Sequence, residues 1–168
     1  HCTEDDCSAQ HIKAAVGMKL DTVGILMMAH MVEEKWLVEE ARKMVSYGDN
    51  GIYATDSAGY LLHDMVSSRY AALKKEFGND IELGFHWHNN MSMGVANSLA
   101  AIDAGATIID ASLAGFGAGS GNTATDVLVA VCNRMGVETG IDLDKIVDAA
   151  EDIALPIMGK PTRISRDS

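Results

Sequence analysis

The sequence predicts an α/β fold, part of a TIM-type (β/α)8 barrel made of about four consecutive βα units of parallel sheet. Three observations carry this expectation. Apolar runs of strand length alternate with stretches of helical periodicity. The strand starts, near positions 21, 51, 81 and 107, are one βα repeat apart. Polar residues gather directly after the strands.

Taken in order, Ser8 to Val16 reads as a helix with Asp5 or Asp6 acidic at its start. Asp21 to Met28 is a nearly continuous apolar run, the pattern of a strand buried on both faces. A helix follows from about Val32 to Tyr47, with Trp36, Leu37, Ala41, Met44 and Val45 on one stripe, and Gly48 stops it. The unit returns as a strand near Gly51 to Thr55 with a helix near Leu61 to Phe77, then Ile81 to Trp87 with Ser92 to Ala104. It returns last as Thr107 to Ser112 with a helix from about Thr123 to Met135, and a final helix runs near Leu143 to Ile153. Consecutive βα units imply a parallel sheet with right-handed crossovers. Two prolines and no Ser- or Gly-rich linker leave residues 1–168 without an internal boundary.

A doubly wound open sheet has the same repeat length. The polar strand ends favour the barrel: Met28-Ala29-His30, Thr55-Asp56-Ser57, His86-Trp87-His88-Asn89-Asn90 and Asp110-Ala111-Ser112 come from different strands, where a barrel collects its chemistry. Half a barrel exposes two strand edges and is expected to pair with something, another copy of itself included.

Thirteen Lys and Arg against 24 Asp and Glu give a formal charge of -11, which argues against nucleic acid and anionic membranes as partners. Three cysteines without framework spacing, and no leader-like opening, point to a reducing cytoplasm. The start at His1 without Met, and the stop at Ser168 after an apolar-rich stretch, read as cut ends.

His86 and His88 are two apart on a strand, so both imidazoles point to one face and can meet one metal ion. The alternative is a hydrogen-bonded polar pair in a barrel mouth. Two neutral imidazoles leave at least one carboxylate to be supplied, a set that suits Mn²⁺, Mg²⁺, Co²⁺ or Zn²⁺. Asp56 and Asp110 stand at neighbouring strand ends, as ligands or, by preference, as partners that orient the ligands. Gly115 to Asn122 is a Gly-rich loop whose amides could approach an anionic carboxylate, or a tight loop with Asn122 as a helix N-cap. It matches neither a dinucleotide fingerprint nor a P-loop, and Ser57 and Ser120 lack a nucleophile-elbow frame. His1, Cys2 and Cys7 read as a loop and helix start rather than a zinc site.

These residues resemble a known family. His1-Cys2-Thr3-Glu4-Asp5, Asp21-Thr22-Val23-Gly24, Asp56-Ser57-Ala58-Gly59, His86-Trp87-His88-Asn89-Asn90 with Gly94-Val95-Ala96-Asn97-Ser98, and Asp110 to Gly115 followed by Gly117-Ala118-Gly119 and Gly121-Asn122 are similar, in order, to the 4-hydroxy-2-oxovalerate aldolases, a branch of the HMG-CoA lyase-like metal-dependent barrels. The resemblance implies a class II aldolase that reversibly cleaves 4-hydroxy-2-oxovalerate to pyruvate and acetaldehyde in the meta-cleavage degradation of aromatic compounds. It implies that His86 and His88 hold the metal, typically Mn²⁺, with Mg²⁺ or Co²⁺ as options, and that His86 and Ser57 meet the 2-keto acid. Asn122 falls where a related lyase carries a further ligand. Residues 1–168 would then be the C-terminal half of a barrel domain. The family's third metal ligand (an early Asp), the neighbouring Arg and the catalytic His have no counterpart here. The region that contacts an acylating acetaldehyde dehydrogenase is missing as well, so the chain alone is expected to turn over negligibly.

The nearest rival is a Claisen-type relative, HMG-CoA lyase or an isopropylmalate or homocitrate synthase. Those usually continue with an Asp soon after the second His, where this chain has Asn89-Asn90-Met91-Ser92. A rival of another class is a non-catalytic, self-associating half-barrel.

Overall fold

A computed structural model describes residues 7–159, so His1, Cys2, Asp5 and Asp6 lie outside the described residues. Helix α1 (Ser8–Gly17) leads to strand β1 (Val23–Leu26), helix α2 (Glu34–Tyr47), β2 (Gly51–Asp56), α3 (His63–Phe77), β3 (Glu82–Trp87), α4 (Gly94–Asp103), β4 (Ile108–Ile109) and α5 (Thr125–Arg134). Helix α6 (Leu143–Ala149), one π-helical turn (Ala150–Ala154) and α7 (Leu155–Met158) follow.

The four strands are parallel and lie side by side in sequence order. A doubly wound sheet reverses its order at a switch point. The unbroken order is that of a barrel wall, and the chain is a partial (β/α)8 barrel. The register makes rows across the wall. Ile25, Tyr53, Gly84 and Ile108 share one, and Thr55 and His86 share the row nearer the C-terminal end.

Alternate residues face the helices. Leu26, Ile52, Ala54, Leu83, Phe85 and Trp87 pack there with Leu37, Ala41, Val66, Tyr70, Leu73 and Ala101 into one cluster. Each fully buried large apolar side chain in it contributes about 1.5–3 kcal/mol. The buried Tyr70 hydroxyl lies within hydrogen-bond reach of the Ala54 and Gly84 carbonyls, fastening α3 to β2 and β3. Stacked Phe85 and Trp87 continue this layer toward the C-terminal end of the sheet.

Several sequence expectations change. Strand β1 is not buried on both faces: Gly24 and Leu26 are buried, while Val23 and Ile25 are 40% and 48% exposed. Its second face is the barrel interior, which no element among the described residues covers. On α2 the stripe is Leu37, Val38, Ala41 and Met44, and Trp36 is 46% exposed, because one residue before Leu37 is a 100° turn away from it. Strand β4 ends after two residues. The Asp110 amide still donates to the Phe85 carbonyl, but Ser112 pairs with the chain entering α5 instead. Helix α5 begins at Thr125 behind Ala124, so Asn122 is not its N-cap. The last helix breaks into α6, the π turn and α7 where Pro156, with no N–H to donate, disrupts the regular hydrogen-bond ladder.

Candidate functional site

The C-terminal ends of β2, β3 and β4 build one mouth. His86 and His88 alternate with Trp87, so both face away from the helix layer while Trp87 is buried in it. Their rings lie 5.6 Å apart, centroid to centroid, at 67°. Burial, and then the neighbouring His86, hold the His88 imidazole below its ordinary pKa, while the nearby Ala118 backbone and the charge of Asp56 act the other way. The net result favours the neutral ring, the form that binds metal.

Asp56 ends β2 and is fully buried. Its Oδ2 accepts the amides of Tyr60 and Leu61 at 2.5 and 2.6 Å, and its Oδ1 accepts that of Ala58 at 3.2 Å and lies 2.8 Å from His30 Nδ1. A carboxylate so engaged is turned into its own loop and shapes the segment that carries Ser57. Gly59, at φ +61°, lets that loop run against β3: a Cβ there would sit 2.5 Å from the His88 carbonyl oxygen. Ser57 Oγ is buried in this loop and has no hydrogen-bond partner.

The Gly-rich loop closes the other side. Asn122 bridges to His88, Thr123 donates to the Trp87 carbonyl, and Asn89 donates to the Gly121 carbonyl. The amides of Gly115, Phe116, Gly121 and Asn122 bond within this segment, so they are not available to an anion. Asn122 Nδ2 donates to the Phe116 carbonyl, while its Oδ1 is buried without a partner. Gly117 allows this, since a Cβ there would meet the Asn122 amide at 2.7 Å. Asp110 stands beside His86, with Oδ2 3.3 Å from Nδ1.

The mouth thus brings together Ser57, His86, His88 and Asn122, with Asp56 and Asp110 around them. Two imidazoles, a buried amide oxygen and a buried hydroxyl without partners fit part of a divalent-metal and substrate site. The set lacks a carboxylate: among the described residues no three His, Cys, Asp or Glu gather as a metal cluster. Sequence reading placed His30 among the polar strand ends without foreseeing its contact with the buried Asp56, and gave no role to Tyr53 or Gly84. His30 had a visible signal, a histidine just past a strand end. Tyr53 had none, since an aromatic residue inside an apolar run reads as core.

The HMGL-like family model matches residues 5–153. Over its full length the chain is 58% identical to the 4-hydroxy-2-oxovalerate aldolases of Stutzerimonas stutzeri and Pseudomonas putida, covering 49% of each. It therefore spans about half the length of the curated relatives it matches. Among solved structures, the HMG-CoA lyase of Bacillus subtilis aligns with a TM-score of 0.81 at 25% identity, over 95% of this chain and 56% of that one. The enzyme of Pseudomonas aeruginosa aligns at 0.80 and 22%, over 94% and 56%, a likeness of fold alone. By the family model that covers most of its length, the chain belongs to the HMGL-like family.

Proposed function

We propose that the protein carrying this chain is a divalent-metal-dependent aldolase that reversibly cleaves 4-hydroxy-2-oxovalerate to pyruvate and acetaldehyde. The observation that carries the reading is the His86 and His88 pair, turned to one face at the mouth of a barrel wall, in a chain 58% identical to proteins of that name. His86 and His88 hold the cation, Mn²⁺ with Mg²⁺ or Co²⁺ as substitutes, and Asn122 Oδ1 approaches it from the Gly-rich loop. The remaining ligand is a carboxylate from outside the described residues. The bound cation supplies a Lewis acid for the electron pair that carbon–carbon cleavage leaves on the keto acid. Ser57 Oγ donates to the 2-keto acid, and His86 lines the same pocket. The Asp56-bound loop borders the site and excludes water from that side. The group that takes the hydroxyl proton, and the arginine side chain that assists the metal in steadying the product's negative charge, come from outside this chain, which is inactive alone.

On this reading the chain is the C-terminal half of the barrel domain, and the whole protein serves aromatic catabolism in the cytoplasm. It passes acetaldehyde to an acylating dehydrogenase. No helix among the described residues is long and apolar enough to cross a membrane. The Claisen-type alternative is less well supported, since Asn89 and Asn90 occupy positions where those relatives usually carry an Asp.

The test is pyruvate release by the full-length protein, followed with a coupled lactate dehydrogenase assay. Release that a chelator abolishes and Mn²⁺ restores is expected. No release in Mn²⁺, or cleavage of CoA thioesters only, overturns the reading.

A further inference from the structure

Within the wall, one row has an unusual filling. Tyr53 on β2 pairs in register with Gly84 on β3, which pairs with Ile108 on β4. The Tyr53 ring does not stand up from its own strand but lies across β3. A Cβ built at Gly84 would clash with that ring, closest to its Cδ2, Cε2 and Cζ. Only glycine leaves that space. With Cζ over β3, the hydroxyl is carried toward β4, where Asp110 stands two residues beyond Ile108 on the same face. Burial, and then the nearby Asp110 and Glu82 carboxylates, raise the Tyr53 hydroxyl above its ordinary pKa, so at neutral pH it keeps a proton to donate toward Asp110.

Asp110 in turn meets His86. The Asp110 amide donates to the Phe85 carbonyl at 2.9 Å, which sets Asp110 beside His86, and Oδ2 lies 3.3 Å from His86 Nδ1. A carboxylate facing one ring nitrogen of a neutral imidazole decides which nitrogen carries the proton.

We propose that the chain Tyr53, Asp110, His86, admitted by Gly84, fixes His86 as its Nδ1–H tautomer and so presents the Nε2 lone pair to a metal in the mouth. Tyr53 and Asp110 are positioning residues. The metal-binding half of this inference rests on the proposed function; the tautomer half stands on the geometry alone. Half-exposed Asp110 needs such a holder, because a carboxylate free to rotate toward water leaves both His86 tautomers accessible.

The experiment separates the two halves. The full-length protein is stripped of metal and labelled with ¹⁵N-histidine, and His86 is read by long-range ¹H–¹⁵N correlation at a pH where it is neutral. Its signals are assigned by their loss in His86→Gln. Expected is a single Nδ1–H tautomer in the wild type, an average of two tautomers in Asp110→Ala, and a partial shift the same way in Tyr53→Phe. Asp110→Asn, which keeps an acceptor oxygen, restores the wild-type pattern. Tyr53→Phe conserves the ring, so it remains informative if Asp110→Ala fails to fold. An Nε2–H tautomer in the wild type, or one unchanged in both Asp110→Ala and Tyr53→Phe, overturns the proposal. Mn²⁺ titration of the same samples by electron paramagnetic resonance is expected to show affinity lowered about 10–100-fold in Asp110→Ala. A wild type with the expected tautomer but no Mn²⁺ binding refutes the metal reading and leaves the tautomer assignment standing.

Discussion

His30 and Asp56 meet at the mouth of the sheet, Nδ1 to Oδ1 at 2.8 Å, joining the segment after β1 to the one after β2. The histidine is set there by Met28, a non-glycine residue at φ 62° that turns the chain sharply into the short helical turn Ala29–Met31. The same carboxylate collects three backbone amides, so one buried group holds two loops.

Removing that acceptor strands several buried donors at once. Asp56→Ala is expected to lower stability by about 3–5 kcal/mol, because it leaves three backbone amides at the buried site without their acceptor. Asp56→Asn keeps one acceptor oxygen and is expected to cost about half as much. Urea unfolding of the full-length protein checks both, and a loss below about 1 kcal/mol for the alanine variant contradicts this role.

Gly59 carries the contact from the Ser57 loop to His88. Gly59→Ala puts a methyl group 2.5 Å from the His88 carbonyl oxygen and 2.8 Å from the Asn90 amide nitrogen, at a φ that alanine disfavours. The strained backbone costs about 1–2 kcal/mol. Because β3 must shift to make room, Mn²⁺ affinity is expected to fall at least about tenfold, within the range seen when support for a ligand is lost. Unchanged affinity with lowered thermal stability would show that the loop supports the fold and not the metal site.

At the opposite end of the sheet, Asp49 is 3% exposed beside Gly24 and Met44, and neither carboxylate oxygen has a hydrogen-bond partner. Burial pushes its carboxyl up to about 6, from 3.8. Between these values the unfolded chain releases a proton that the folded chain retains. Stability present at low pH is therefore lost as the pH rises through the folded value, and the penalty is complete above it. Asp49→Asn is expected to be more stable than the wild type at about pH 7.5 and equal to it at about pH 3.5. Denaturant titration at the two values decides; a variant less stable at the higher pH means that Asp49 is paired.

The βα alternation was legible in the sequence because each strand is a compact apolar run between polar ends, and Gly48 marks the end of α2 with φ 115°. Strand β1 misled because an apolar run has the same letters whether its second face meets helices or a barrel interior; only the neighbouring rows tell them apart. The histidine pair was legible because a period of two on a strand fixes a shared face. Asp56 and Asp110 looked alike as letters, each following a strand. Their difference, one taken up by three backbone amides beside His30 and the other facing His86, depends on the loop path after β2 and on the backbone bond from Asp110 to Phe85. Tyr53 could not be found from sequence, since its reach to Asp110 needs a glycine one strand away.

The central claim is that one divalent cation binds on β3. Calorimetric titration of Mn²⁺, with oxalate present as a 2-keto acid analogue, into the full-length protein and into its His86→Ala, His88→Ala variant tests it most directly. The account predicts saturable one-to-one binding in the wild type and none in the variant. Equal binding in both would put the metal elsewhere and contradict it.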